Sequence, residues 1–142
     1  MIDFGLRDRG ALVSGAGYLP ERAGHGRLCS LILAEAGASV ACVDIDTGRA
    51  VGTVDAIEAA GGTAFPITAD MTDPVQVQRA VDEAAEALGS IDVCVDIIGG
   101  ATWDGVQGEI IDREPVTLDA QHSVHRYLRF IEKTVAGFYW TW

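Results

Sequence analysis

The sequence predicts an α/β fold: a doubly wound parallel sheet with its candidate ligand site on one edge. Three observations predict it. Short apolar runs alternate with amphipathic stretches along the chain. Glycines 15, 17, 24 and 26 fill the turn between the first run and the first amphipathic stretch. Acidic residues close the next two apolar runs, at Asp44 and Asp70.

Each element has its own signal. Ala11–Ser14 reads as the first strand. Arg27–Ala36 reads as a helix with Leu28, Leu31, Ile32 and Glu35 on one side, ended by Gly37. Ser39–Ile45 is a second strand, nearly all apolar until Asp44. A helix from about Arg49 to Ala60 carries Val51, Val54 and Ile57, and Gly61-Gly62 stops it. Thr63–Ala69 is a third strand, and Pro66 assigns it to a sheet edge because proline has no N–H for a ladder. Asp73-Pro74 opens the next helix with a capping carboxylate and a proline at the first helical position. Val77, Val81, Ala84 and Leu88 then recur at helical spacing, so that one face packs on a sheet. Ile91–Ile98 is a fourth strand, followed by Gly99-Gly100. Residues 101–116 read as a loop, and Thr117 caps a last helix to about Val135.

Strands joined by helical crossovers imply parallel pairing, right-handed connections and helices on both faces. In the doubly wound order 3-2-1-4-5-6 this chain supplies strands 3-2-1-4 and one further helix. The reading is therefore one domain over residues 1–142, truncated after about four strands. Ligands of such sheets sit at the carboxyl ends of the strands, where the order reverses. The loops after Ser14, Asp44, Asp70 and Ile98 all open there.

Composition narrows the partners. Ten basic residues against 21 acidic ones give a net charge of −11, which argues against nucleic acid or an anionic membrane surface. A hydrophobic share of 49% suits strands covered on both faces, or a subunit interface, which keeps a homo-oligomer open. No apolar run reaches spanning length, and Asp3, Arg7, Asp8 and Arg9 occupy the start of the chain. Cys29, Cys42 and Cys94 are odd in number and lie in apolar segments, as reduced core residues do. A cytoplasmic protein is expected.

The glycine turn lets a backbone approach a ligand that side chains would exclude, and the N–H groups opening the following helix then face an anion. A strand–helix turn that binds nothing is the competing reading. Asp44 lies at the second strand's end, 18 residues after Gly26, where a carboxylate accepts from both ribose hydroxyls and repels a 2′-phosphate. Its alternative is a solvated acid or a helix cap, for which Asp46 is better placed. Asp70 either reaches an adenine amino group or serves turn chemistry in Asp70-Met71-Thr72-Asp73. Arg22 and Arg27 are a pyrophosphate contact or solvated side chains. His122 and His125, near Asp119, lack a third ligand for a metal.

In this order and spacing the chain resembles the amino-terminal half of a short-chain dehydrogenase/reductase, from about Leu6 to Gly100. Val13-Ser14-Gly15 stands for the family's Thr-Gly start, Gly24-His25-Gly26 for its Gly-x-Gly and Asp70-Met71-Thr72 for its Asp-Val-Thr. Asp44 follows the second strand, and Gly89-Ser90-Ile91-Asp92-Val93 leads into the fourth. The resemblance implies a Rossmann-like, NAD(P)-binding fold and hydride transfer between a nicotinamide and an alcohol or carbonyl carbon. It implies cofactor contacts from Ser14, Gly15, Gly17, Gly24 and Gly26, with Asp44 preferring NAD over NADP. It also implies adenine contacts at Asp70 and Met71, and Asp96 and Gly99 beside the nicotinamide ribose.

The chain departs from the family in three places. Eight residues separate Gly15 from Gly24 where the family usually has three, so Tyr18–Ala23 contains an insertion. Asp96-Ile97-Ile98-Gly99 replaces Asn-Asn-Ala-Gly, and the chain has no asparagine. The catalytic Ser and Tyr-x-x-x-Lys set is absent, since Lys133 is the only lysine and no tyrosine precedes it by four. The expectation is the cofactor half of an NAD-dependent oxidoreductase, inactive alone and cut before its fifth strand. The alternatives are a complete but non-catalytic NAD-binding domain and an S-adenosylmethionine methyltransferase-like domain.

Overall fold

The computed structural model describes residues 4–21 and 24–98. Seven elements alternate along them: β1 (Gly10–Ser14), α1 (His25–Glu35), β2 (Ser39–Asp44), α2 (Thr47–Ala59), β3 (Thr63–Thr68), α3 (Pro74–Leu88) and β4 (Val93–Asp96). The strands form one parallel sheet in the order β3-β2-β1-β4, as the alternation predicts. Pro66 sits on β3, the edge strand, where its missing N–H costs no ladder bond.

Strand alternation sends side chains into two separate cores. Ala11 and Val13 of β1, with Val40 and Cys42 of β2, pack against Ala34 of α1 and Val54 and Ile57 of α2. Leu12, Ala41 and Val43 face the other way, onto Val77, Ala80, Val81 and Ala84 of α3. Helices thus cover both faces of the sheet. The caps follow the sequence: Asp46 accepts from the Arg49 N–H at 3.0 Å and Asp73 from the Val75 N–H at 2.9 Å.

Three expected details change. α1 buries Gly26, Ser30 and Ala34, whereas Leu28 and Ile32 are each 55% exposed and Glu35 faces solvent. At Gly26 the helix approaches the backbone of the turn after β1 too closely for any side chain. On α2, Ala50 and Thr53 join Val54 and Ile57 in the interior, and Val51 lies outside. β4 is shorter than Ile91–Ile98 because Asp92 caps its start. There the carboxylate accepts from the Gly10 N–H at 2.9 Å, and the Asp92 N–H donates to the Gly10 carbonyl at 2.8 Å. The expected helix from Thr117, its preceding loop, and His122 and His125 lie outside the described residues.

Candidate functional site

The site begins with the turn after β1. Gly15 has φ +71°, a conformation that glycine adopts without strain. The next backbone groups are tied to neighbouring elements. The Ala16 N–H donates to the Val43 carbonyl at 3.0 Å and the Tyr18 N–H to the Arg49 carbonyl at 2.9 Å. The buried Thr53 hydroxyl donates to the Ala16 carbonyl at 2.6 Å. Thr53 was not singled out from the sequence; its only signal was a hydroxyl beside the apolar stripe of α2.

Gly26 lets α1 start against this turn: a Cβ there would lie 2.6 Å from the Gly15 carbonyl carbon and 3.1 Å from the Ala16 Cα. Gly17 is equally constrained, since its Cβ would meet the Asp44 carboxylate and come within 2.8 Å of the Arg49 Cβ. Gly24 is the N-cap of α1 and makes no side-chain capping bond; no acid occupies the helix's first turn. Among the described residues no side chain caps the first N–H groups of α1, and a helix start of this kind is able to take an anion.

Asp44 closes β2 beside this turn. One carboxylate oxygen accepts from the Gly17 N–H at 2.9 Å and the other from the Asp46 N–H at 3.1 Å. The acid is therefore held against the glycine turn and remains partly exposed. Asp46 serves as the helix cap, so Asp44 is not needed for that task.

Tyr18, the first residue of the insertion, turns toward α2. Tyr18 packs over Gly52, and the Arg27 guanidinium lies 4.2 Å above its ring while donating to the Gly52 carbonyl at 3.0 Å. Arg27 is accordingly a clamp between the loop and α2, in place of the pyrophosphate contact or solvated side chain that its position in sequence allowed. Arg22 lies outside the described residues.

At the neighbouring strand ends, Asp70 accepts from both the Thr72 N–H, at 2.9 Å, and the Thr72 hydroxyl, at 2.7 Å. Both bonds are turn chemistry within Asp70-Met71-Thr72-Asp73. The Asp70 N–H donates to the Gln76 side chain at 3.0 Å. Met71 is 7% exposed and belongs to the core under α3. On the other side of β1, the buried Ser14 hydroxyl donates to Asp96, opposite it in register, and the Ile98 N–H donates to the same oxygen at 3.1 Å. Burial first, and the nearby Asp96 charge second, push the Cys94 thiol up to about 12. Gly99 lies outside the described residues. Ser14, Gly15, Gly17, Gly26, Asp44 and Asp96 thus gather along one edge of β2, β1 and β4, with Asp70 and Met71 following β3. Among the described residues no three His, Cys, Asp or Glu side chains could hold a metal ion. No helix among them is long and apolar enough to cross a membrane.

Residues 21–128 match the profile of a family described as enoyl-(acyl carrier protein) reductase. A short chain dehydrogenase of Pseudocercospora fijiensis is 33% identical over 120 residues, covering 84% of this chain and 36% of that protein. The chain belongs to the short-chain dehydrogenase/reductase family. A solved short chain dehydrogenase from Burkholderia cenocepacia, in complex with NADP, superposes with TM-score 0.74 at 33% identity over 92% of this chain and 51% of its own. A 7α-hydroxysteroid dehydrogenase complexed with NADH and 7-oxo glycochenodeoxycholic acid gives TM-score 0.70 at 30% identity, covering 88% of this chain and 46% of its own. The chain spans about a third of the length of the curated relatives it matches. Membership in this family sets aside the methyltransferase alternative.

The residues present fit a dinucleotide. In the turn after β1 and the start of α1, glycine stands at positions 17 and 26, where a Cβ would collide; no side chain caps the helix start, and a carboxylate lies against the turn.

Proposed function

We propose that this chain is the cofactor-binding unit of an NAD-dependent oxidoreductase acting between an alcohol and a carbonyl compound. The observation that carries this reading is the Asp44 carboxylate hydrogen-bonded to Gly17 beside the uncapped start of α1. The N–H groups of His25 and Gly26 would hold the pyrophosphate, and Asp44 would accept from the adenosine ribose hydroxyls. A 2′-phosphate at the same place would meet that carboxylate at close range, so NAD is favoured over NADP. Asp70 and Met71 would border the adenine, while Ser14, Asp96 and Gly99 would lie toward the nicotinamide ribose. The nicotinamide, when bound, supplies or accepts the hydride. These 142 residues contain no Tyr-x-x-x-Lys, so the proton that accompanies the hydride is assigned to none of them. Three free cysteines support a cytoplasmic location.

Thermal melts with NAD, NADP and S-adenosylmethionine test the reading. A ligand at one hundred times its Kd stabilises by about 2.7 kcal/mol, so even modest selectivity is measurable. NAD is expected to raise Tm most, and Asp44→Ser to narrow the gap between NAD and NADP. A melt unmoved by millimolar NAD, or moved more by NADP, would contradict it.

A further inference from the structure

The sheet places a second carboxylate where its order reverses. From β1 the chain winds outward through β2 to β3, and α3 then returns it to β4 on the other side of β1. The crevice therefore opens between β1 and β4. Asp44 marks the β2 side of the crevice and Asp96 the β4 side, two strand spacings apart, about 10 Å.

Asp96 is fixed in place. Its Oδ1 takes both the buried Ser14 hydroxyl and the Ile98 N–H, and its strand is in register with β1 from Ala11 to Ser14. No basic side chain among the described residues pairs with it; Arg9 pairs with Asp92, at the opposite end of β4. The carboxylate is partly exposed at the edge. A dinucleotide held by Asp44 at its adenosine end and by α1 at its pyrophosphate must extend toward this charge.

We infer that Asp96 selects the oxidation state of the cofactor, favouring the pyridinium of NAD⁺ over the uncharged ring of NADH. This rests on the dinucleotide reading above and deepens it. The two forms differ by one positive charge on that ring, so an oriented, unpaired carboxylate nearby acts on one and not on the other. An asparagine, the residue the family pattern carries here, would keep the hydrogen-bond acceptor and lose the discrimination.

The test compares affinities of NAD⁺, NADH and ADP-ribose by calorimetry in the wild-type chain, Asp96→Asn and Asp96→Glu. The expected result is a fall of about threefold or more in the NAD⁺-to-NADH affinity ratio for Asp96→Asn, with the ratio kept in Asp96→Glu. Asp96→Glu keeps the net charge of −11 and Asp96→Asn changes it by one unit at this position alone, so the comparison isolates the local effect. Should Asp96→Asn not melt cooperatively, Asp96→Ser removes the charge with less volume and carries the same expectation. An unchanged ratio, or a parallel loss for both forms, would overturn the inference while ADP-ribose binding persisted. Wild-type protein that does not bind ADP-ribose would overturn the dinucleotide reading and this inference together.

Discussion

Replacing Gly26 with alanine adds a single carbon at the tightest contact between α1 and the turn after β1. The new Cβ would sit 2.6 Å from the Gly15 carbonyl carbon and 3.1 Å from the Ala16 Cα. Both neighbours are backbone, so no side chain can rotate away. The turn itself is pinned by the Ala16 N–H on Val43 and by Thr53 on the Ala16 carbonyl. Either α1 moves outward, opening the core around Ala34, or these bonds break. Overpacking of this kind costs about 1–3 kcal/mol, and a rigid backbone neighbour puts Gly26→Ala near the upper end. Gly24→Ala is the matched control: its Cβ would lie 3.4 Å from the Gly17 carbonyl oxygen, an ordinary contact, and its φ of −76° suits any residue. Urea unfolding of the three proteins should show a loss of about 3 kcal/mol for Gly26→Ala and under about 1 kcal/mol for Gly24→Ala. Equal losses, or a loss below about 0.5 kcal/mol at Gly26, would refute the packing argument.

Two further outcomes follow from titrating groups. The Gly10 N–H is the leading cause holding the Asp92 carboxyl below its usual range, with Ser90 and Arg9 adding to it. A carboxyl lowered by folding stabilises the folded state above its unfolded pKa and loses that contribution as pH falls through its folded value. Asp92→Asn should therefore lower Tm at pH 7, with the gap to wild type closing as pH falls through the folded-state titration of Asp92; a gap independent of pH would count against the clamp. Burial among the strands pushes the Cys42 thiol up to about 11, against an opposing hydrogen bond from Ser30. The folded chain then holds this proton more tightly than the unfolded chain, so its contribution is full below about pH 8.5 and declines toward 11. Cys42→Ala should flatten that alkaline decline, and iodoacetamide at pH 8 should leave native Cys42 unlabelled; rapid labelling would show that the β1–β2 core opens.

Much of this architecture was legible because local rules and the tertiary arrangement agree. Asp46 and Asp73 were readable as caps, Pro66 as an edge residue and the glycines as a close-approach turn, each from chemistry within a few residues. The buried side of α1 was not, because its first buried position, Gly26, is set by distance to the backbone of the turn after β1. Gly26, Ser30 and Ala34 are inside while the larger Leu28 and Ile32 are out. The contact among Tyr18, Arg27 and Gly52 was equally hidden, because only tertiary packing brings them together. The Ser14–Asp96 pair joins residues 82 positions apart, and nothing near either one announces the other. Asp44 lay between: its place at a strand end was visible, but its grip on Gly17 was not.

The most direct test of the account is an amide NMR titration of the isotopically labelled chain with NAD. Saturable shifts concentrated at Gly15, Gly17, Gly26 and Asp44, and moved to higher NAD concentration by Asp44→Ala in a protein that still melts cooperatively, are the predicted result. Saturable shifts confined to the outer face of α3, or none at millimolar NAD, would contradict it.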